Sequence, residues 1–73
     1  MSNKPMREDS RCVLALQTED GKNEICIMRD GDVYLGIFYS GYRAGCQTAE
    51  FDTLKEIERI FKNAGYTKVV GRN

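Results

Sequence analysis

Three turn-forming pairs, Asp20-Gly21, Asp30-Gly31 and Ser40-Gly41, stand ten residues apart and divide the front of the chain into short apolar runs. An Asp-Gly pair between such runs is among the strongest local signs of a two-residue hairpin, because a type I′ turn needs φ > 0 at both central positions. Punctuation this regular leaves no room for a long helix before residue 50. It predicts four strands, over roughly 11–19, 22–29, 32–39 and 42–49, joined as an antiparallel meander.

Beyond them the period changes. Leu54, Ile57, Ile60, Phe61 and Ala64 recur at helical spacing and form one apolar stripe. Asp52 or Thr53 is placed to cap the start, Thr53 with Glu56 fits a capping box, and Gly65 sits where a glycine ends a helix. Glu58 and Lys62 make an i, i+4 pair on the wet side. Tyr66–Val70 has the pattern of a short fifth strand. The expectation is an α+β fold of two layers, a four-stranded antiparallel meander packed on one C-terminal helix (ββββα). It divides into a flexible N-terminal arm at 1–10, which holds the sole proline, Pro5, and a single domain over 11–73.

Two-residue turns fix which residues face each other. About Asp20-Gly21, Leu16 pairs with Ile25, Ala15 with Cys26, Leu14 with Ile27 and Val13 with Met28. About Asp30-Gly31, Met28 pairs with Val33, Ile27 with Tyr34, Cys26 with Leu35 and Ile25 with Gly36. About Ser40-Gly41, Leu35 pairs with Cys46, Ile37 with Ala44 and Phe38 with Arg43. Alternation then sorts the sheet. One face carries Val13, Ala15, Cys26, Met28, Val33, Leu35, Ile37, Tyr39, Ala44 and Cys46, and is assigned the helix. The other carries Leu14, Leu16, Ile25, Ile27, Tyr34 and Phe38, with Arg43 and Gln47 to one side.

One helix covers one face of a sheet. Leu14, Leu16, Ile25, Ile27, Tyr34, Phe38 and Arg43 are therefore expected to form an exposed apolar and aromatic patch, the usual mark of an interaction surface. The reading that follows is a non-enzymatic protein-interaction module, homodimeric, that binds or inhibits an unidentified protein partner. The alternative, weighed below it, is a single-stranded nucleic-acid platform made of Tyr34, Phe38, Arg43 and Gln47, on which bases stack. The order ββββα over residues 11–64 is similar to that of a family of dimeric single-stranded-DNA-binding coactivators, a resemblance of topology that implies a dimer.

Composition narrows the chemistry. The 73 residues include no histidine, which removes the usual neutral-pH base and the commonest metal ligand. Eleven basic and eleven acidic side chains cancel, so bulk electrostatic capture of nucleic acid or of an anionic membrane is not expected. Lys55, Arg59 and Lys62 are interleaved with Glu56 and Glu58, so no basic stripe is read on the helix. Cys12, Cys26 and Cys46 contain no CxxC, and Cys12, beside Arg11 and opposite Arg29, is expected to be the most reactive thiol. Asp20, Asp30 and Asp32 read as turn formers. No catalytic residue, cofactor or metal site is expected. With no apolar run long enough to cross a membrane and no secretory leader in MSNKPMREDSR, the expected location is the cytoplasm.

Overall fold

Strand β1 (Cys12–Gln17) and strand β2 (Asn23–Asp30) are the first hairpin. The structure is a computed structural model that describes residues 12–41 and 43–72; the expected arm at 1–10, Arg11 and Tyr42 lie outside the described residues. The first turn is longer than the two residues expected, yet the register is kept. Thr18 N–H donates to Asn23 O at 3.0 Å and Gly21 N–H to Thr18 O at 2.9 Å, so four residues close the loop symmetrically about the same centre. Leu16 stands opposite Ile25, Ala15 opposite Cys26 and Leu14 opposite Ile27, as the sequence implied. A bulge then places Cys12, not Val13, opposite Met28. The turn is held by Asp20, whose Oδ1 accepts from Lys22 N–H at 3.0 Å and from the Thr18 hydroxyl at 2.7 Å.

Strand β3 (Val33–Ser40) pairs with β2 two places away from the expected register. Asp30 is opposite Val33, Met28 opposite Leu35 and Cys26 opposite Ile37, because the turn is Gly31-Asp32 and not Asp30-Gly31. Gly31 has φ 62° while no non-glycine residue among the described ones has positive φ, which makes this a type II′ turn with glycine first. The type I′ alternative would have forced an aspartate into left-handed space. Strand β4 (Arg43–Gln47) repeats the shift, with Ser40 opposite Arg43, Tyr39 opposite Ala44 and Gly41 at φ 61°. A slip of two preserves which side of the sheet each residue faces. The β2 and β3 residues therefore divide as expected. Past Ala44 a bulge moves the pairing by one, so Gln47 comes opposite Ile37. The chain then stays beside β3: Thr48 N–H donates to Gly36 O, and Tyr34 and Phe51 exchange two backbone bonds of 2.8 Å.

Helix α1 (Leu54–Asn63) has Thr53 as its N-cap, with the hydroxyl accepting from Glu56 N–H at 3.2 Å. At the far end Tyr66 N–H donates to Phe61 O and Gly65 N–H to Lys62 O, with Gly65 at φ 108°, the bond pattern of a Schellman motif. Phe61 and Tyr66 rings, 6.1 Å apart, supply its apolar contact. The Glu58–Lys62 ion pair forms at 2.8 Å. A fifth strand, β5 (Lys68–Arg72), adds to the free edge of β1, giving the order β4-β3-β2-β1-β5. The sheet is antiparallel throughout, and the fold is the α+β arrangement read from the sequence, with the short fifth strand present.

The helix lies on the face opposite to the one assigned from sequence. Ile57 is fully buried in a core with Leu14, Leu16, Ile25 and Ile27, and Tyr34, Phe38, Leu54, Phe61 and Tyr66 pack against it. Chain geometry gives the reason. Strands β4 and β5 run parallel to each other at opposite edges, so β4-α1-β5 is a crossover connection. Seen from the helix side with both strands pointing up, β5 lies to the right of β4, which is the right-handed form adopted by about 98% of such connections. Placing the helix on the other face would have required the left-handed form.

Candidate functional site: the sheet face turned from the helix

The burial under α1 overturns the expected patch. Leu14, Leu16, Ile25 and Ile27 are 0% exposed, and Tyr34 and Phe38 are partly buried against them; all six belong to the interior. Arg43 is exposed at the start of β4. The nucleic-acid platform is likewise not assembled. Phe38 meets Phe61 edge-on at 5.5 Å and Tyr66 at 6.1 Å, so its ring is engaged inside the protein. Phe38 and Arg43 border one shallow cleft of about 250 Å³ with Tyr66, but Tyr34 does not, and the β4 bulge puts Gln47 opposite Ile37 on the reverse face.

That reverse face holds a second apolar cluster. Cys26, Met28, Leu35 and Tyr39 are buried, with Cys12 and Ile37 packed partly against them, and no described helix lies on this side. The polar pair Gln17 and Glu24 shares the face, Gln17 Nε2 donating to Glu24 Oε1 at 2.8 Å. Toward β4 the cluster opens into a cleft of about 300 Å³ bordered by Met28, Leu35, Ile37, Arg29, Asp30 and Gln47. Met28, Leu35 and Ile37, from paired strands, line it, and Asp30 and Gln47 stand at its margin with the end of β2 at Arg29. Its exposed lining is mixed, somewhat more polar than apolar, with Met28 and Leu35 largely buried beneath it and Ile37 half-buried.

Other surfaces offer less. A cleft of about 360 Å³ on the outer side of α1 is walled by Lys55, Glu58, Arg59, Lys62 and Asn63, long polar side chains without an apolar floor. The two sheet edges each carry a bulge, on β4 past Ala44 and on β5 near Val70, and such bulges blunt an edge against strand addition. The only large apolar side chains exposed among the described residues are Ile60 and Val69. Cys46, not Cys12, is the exposed thiol; Cys12 is half-buried and its Sγ lies 3.5 Å from Leu14 O. Asp20 has its carboxyl held below the ordinary aspartate value of 3.8, chiefly by the Lys22 backbone N–H and then by the Thr18 hydroxyl. Among the described residues no group of three or more His, Cys, Asp or Glu side chains is placed to hold a metal ion, and no helix is long and apolar enough to cross a membrane.

Met28, Leu35 and Ile37 were legible as one face of the sheet but were assigned to lie under the helix. The strand-like Tyr66–Val70 was read from the sequence, but not its place on the edge of β1, which turns β4-α1-β5 into a handed crossover. No family model, curated protein or solved structure matches this chain.

Proposed function

We propose that the chain is a small non-enzymatic protein-interaction module that binds through the sheet face turned from the helix, at the cleft floored by Met28, Leu35 and Ile37. The observation that carries this reading is the cleft itself: an apolar floor fixed on paired strands, opening beside a strand whose five residues are all exposed. The bulged edges favour docking of side chains on the face over addition of a strand. An apolar anchor entering a preformed pocket, ringed by polar contacts, is the arrangement that gives protein interfaces their strongest points.

The test is selection from a library of displayed peptides on the wild-type protein, with counter-selection on Ile37→Glu. Ile37 is half-buried, so the variant keeps its fold, checked by circular dichroism. Selected clones should share an apolar anchor and lose binding to the variant by about tenfold or more, as expected when a charge is set in an apolar pocket. Clones that bind both proteins equally would refute the assignment.

A further inference from the structure

We infer that residues 1–11 lie across the β1–β2 half of the face turned from the helix, as a third layer that seals Glu24 and Cys26 from water. This half lies beside the cleft, and its cover is a separate matter from what the cleft binds. Side chains stand roughly perpendicular to a sheet, so the tip of a long one reaches water unless another layer lies over it. Glu24 is nevertheless 0% exposed, and Gln17, opposite it on β1, is 7% exposed. Ala15 at 1% and Cys26 at 2%, also opposite each other, continue the same sealed area. No described helix or strand lies over it: α1 packs on Leu14, Leu16, Ile25 and Ile27 on the other side, and β5 extends the sheet beside β1. The burial thins toward the far edge, where Ile37 is half-buried and β4 is exposed throughout. A cover over β1 and β2 that stops short of β4 gives that gradient and leaves the cleft open.

Residues 1–11 are the segment that can supply it. They join the sheet at Cys12, the first residue of β1, which packs on this face beside Met28. Glu24 lies four residues along β2 from Met28, about 13 Å at a strand's rise of about 3.3 Å per residue. Eleven residues reach up to about 36 Å, enough to double back over both strands. Tyr42 and Asn73, also outside the described residues, are single positions and cannot span two strands. The chemistry of the segment matches the area. Pro5 and Met6 bring apolar surface for Ala15 and Cys26, and Lys4, Arg7 and Arg11 bring cations for the buried carboxylate. A carboxylate taken out of water is stabilised by hydrogen bonds and by positive charge close to it; Gln17 Nε2 supplies one such bond at 2.8 Å.

The experiment begins with NMR on the isotope-labelled full chain. Nuclear Overhauser contacts are expected between residues 1–11 and the Ala15 methyl or the Cys26 side chain, and their absence overturns the inference. Native-state thiol labelling with peptide mapping then compares the full chain with one whose residues 1–10 are replaced by a glycine-serine stretch of equal length. Without its cover Cys26 should label faster by about tenfold or more, since a buried group reacts through local opening. A replaced chain that keeps its fold, by circular dichroism, and still protects Cys26 equally overturns the inference. If the replacement unfolds the chain, all three cysteines label alike and the contacts in the full chain decide. Ile37-dependent peptide binding is measured on the full chain by itself, so failure of the cover and failure of the cleft reading are told apart.

Discussion

Replacing Gly36 by alanine tests the packing of the interior at one atom. Gly36 lies on β3 under α1, and a Cβ built there would sit 2.5 Å from Ile25 Cδ1, 2.8 Å from Ile25 Cγ1 and 3.3 Å from Thr48 Cγ2. Carbon atoms rest at about 3.5–4.0 Å, so Ile25 must retreat by about 1 Å. It has nowhere to go: Ile25 is 0% exposed, packed with Leu14, Leu16, Ile27 and Ile57. Overpacking of this kind costs about 1–3 kcal/mol. The unfolded chain loses freedom when glycine becomes alanine, which returns about 0.4–1 kcal/mol. The net expectation is a loss of about 1–2 kcal/mol, or about 4–16 °C in melting temperature for a chain this short. Urea unfolding of four proteins measures it: wild type, Gly36→Ala, Ile25→Ala and the double variant. In the Ile25→Ala background both close contacts are gone, so the added methyl should be neutral or stabilising, and the cycle should show a coupling of at least about 1 kcal/mol. A Gly36→Ala variant as stable as wild type, or one that loses the same amount in both backgrounds, would refute the reasoning.

Three other expectations follow from particular residues. Thr53→Ala removes the hydroxyl that accepts from Glu56 N–H and should destabilise the fold by about 1 kcal/mol, with Thr53→Asp close to wild type, both read by urea unfolding. Cys46, the exposed thiol, should react with a thiol reagent before half-buried Cys12 and buried Cys26, as peptide mapping by mass spectrometry will report; equal labelling of all three would count against the exposure of β4. Asp20 has its folded-state value depressed, so its contribution to stability is complete above the ordinary value of 3.8 and is lost as the pH falls through the depressed one. NMR titration of the carboxyl should place its midpoint below 3.8, and Thr18→Val should move it upward; an unmoved midpoint would discard the turn geometry.

Much of the sheet was legible because its signals are local. The glycines at 21, 31 and 41 all take positive φ, and the turns fell within one residue of their expected places. That small error slid β2 against β3 by two residues without moving a side chain to the other face, since the alternation has a period of two. The helix ends were legible for the same reason: Thr53 and Gly65 act on backbone groups within a few residues of themselves. Bulges were not legible. The one in β4 carries Gln47 past its expected side, and nothing in the residues Arg43–Gln47 announces where the extra residue falls. The expected aromatic group was lost to tertiary contacts, because Phe38 finds Phe61 and Tyr66, rings that come from the helix and the segment after it.

The sequence by itself determined the elements, their order and the sorting of β2 and β3 side chains into two apolar sets, because turn chemistry and period-two alternation act over a few residues. Which set became the interior was decided only when the chain crossed from β4 to β5. Both faces are apolar, so burial alone does not discriminate between them. The handedness of the crossover does, through the right-handed twist of strands and helix, and it sends α1 to Leu14, Leu16, Ile25 and Ile27. That choice, made by long-range topology, left the Met28, Leu35 and Ile37 face as the one turned from the helix, with its cleft beside β4.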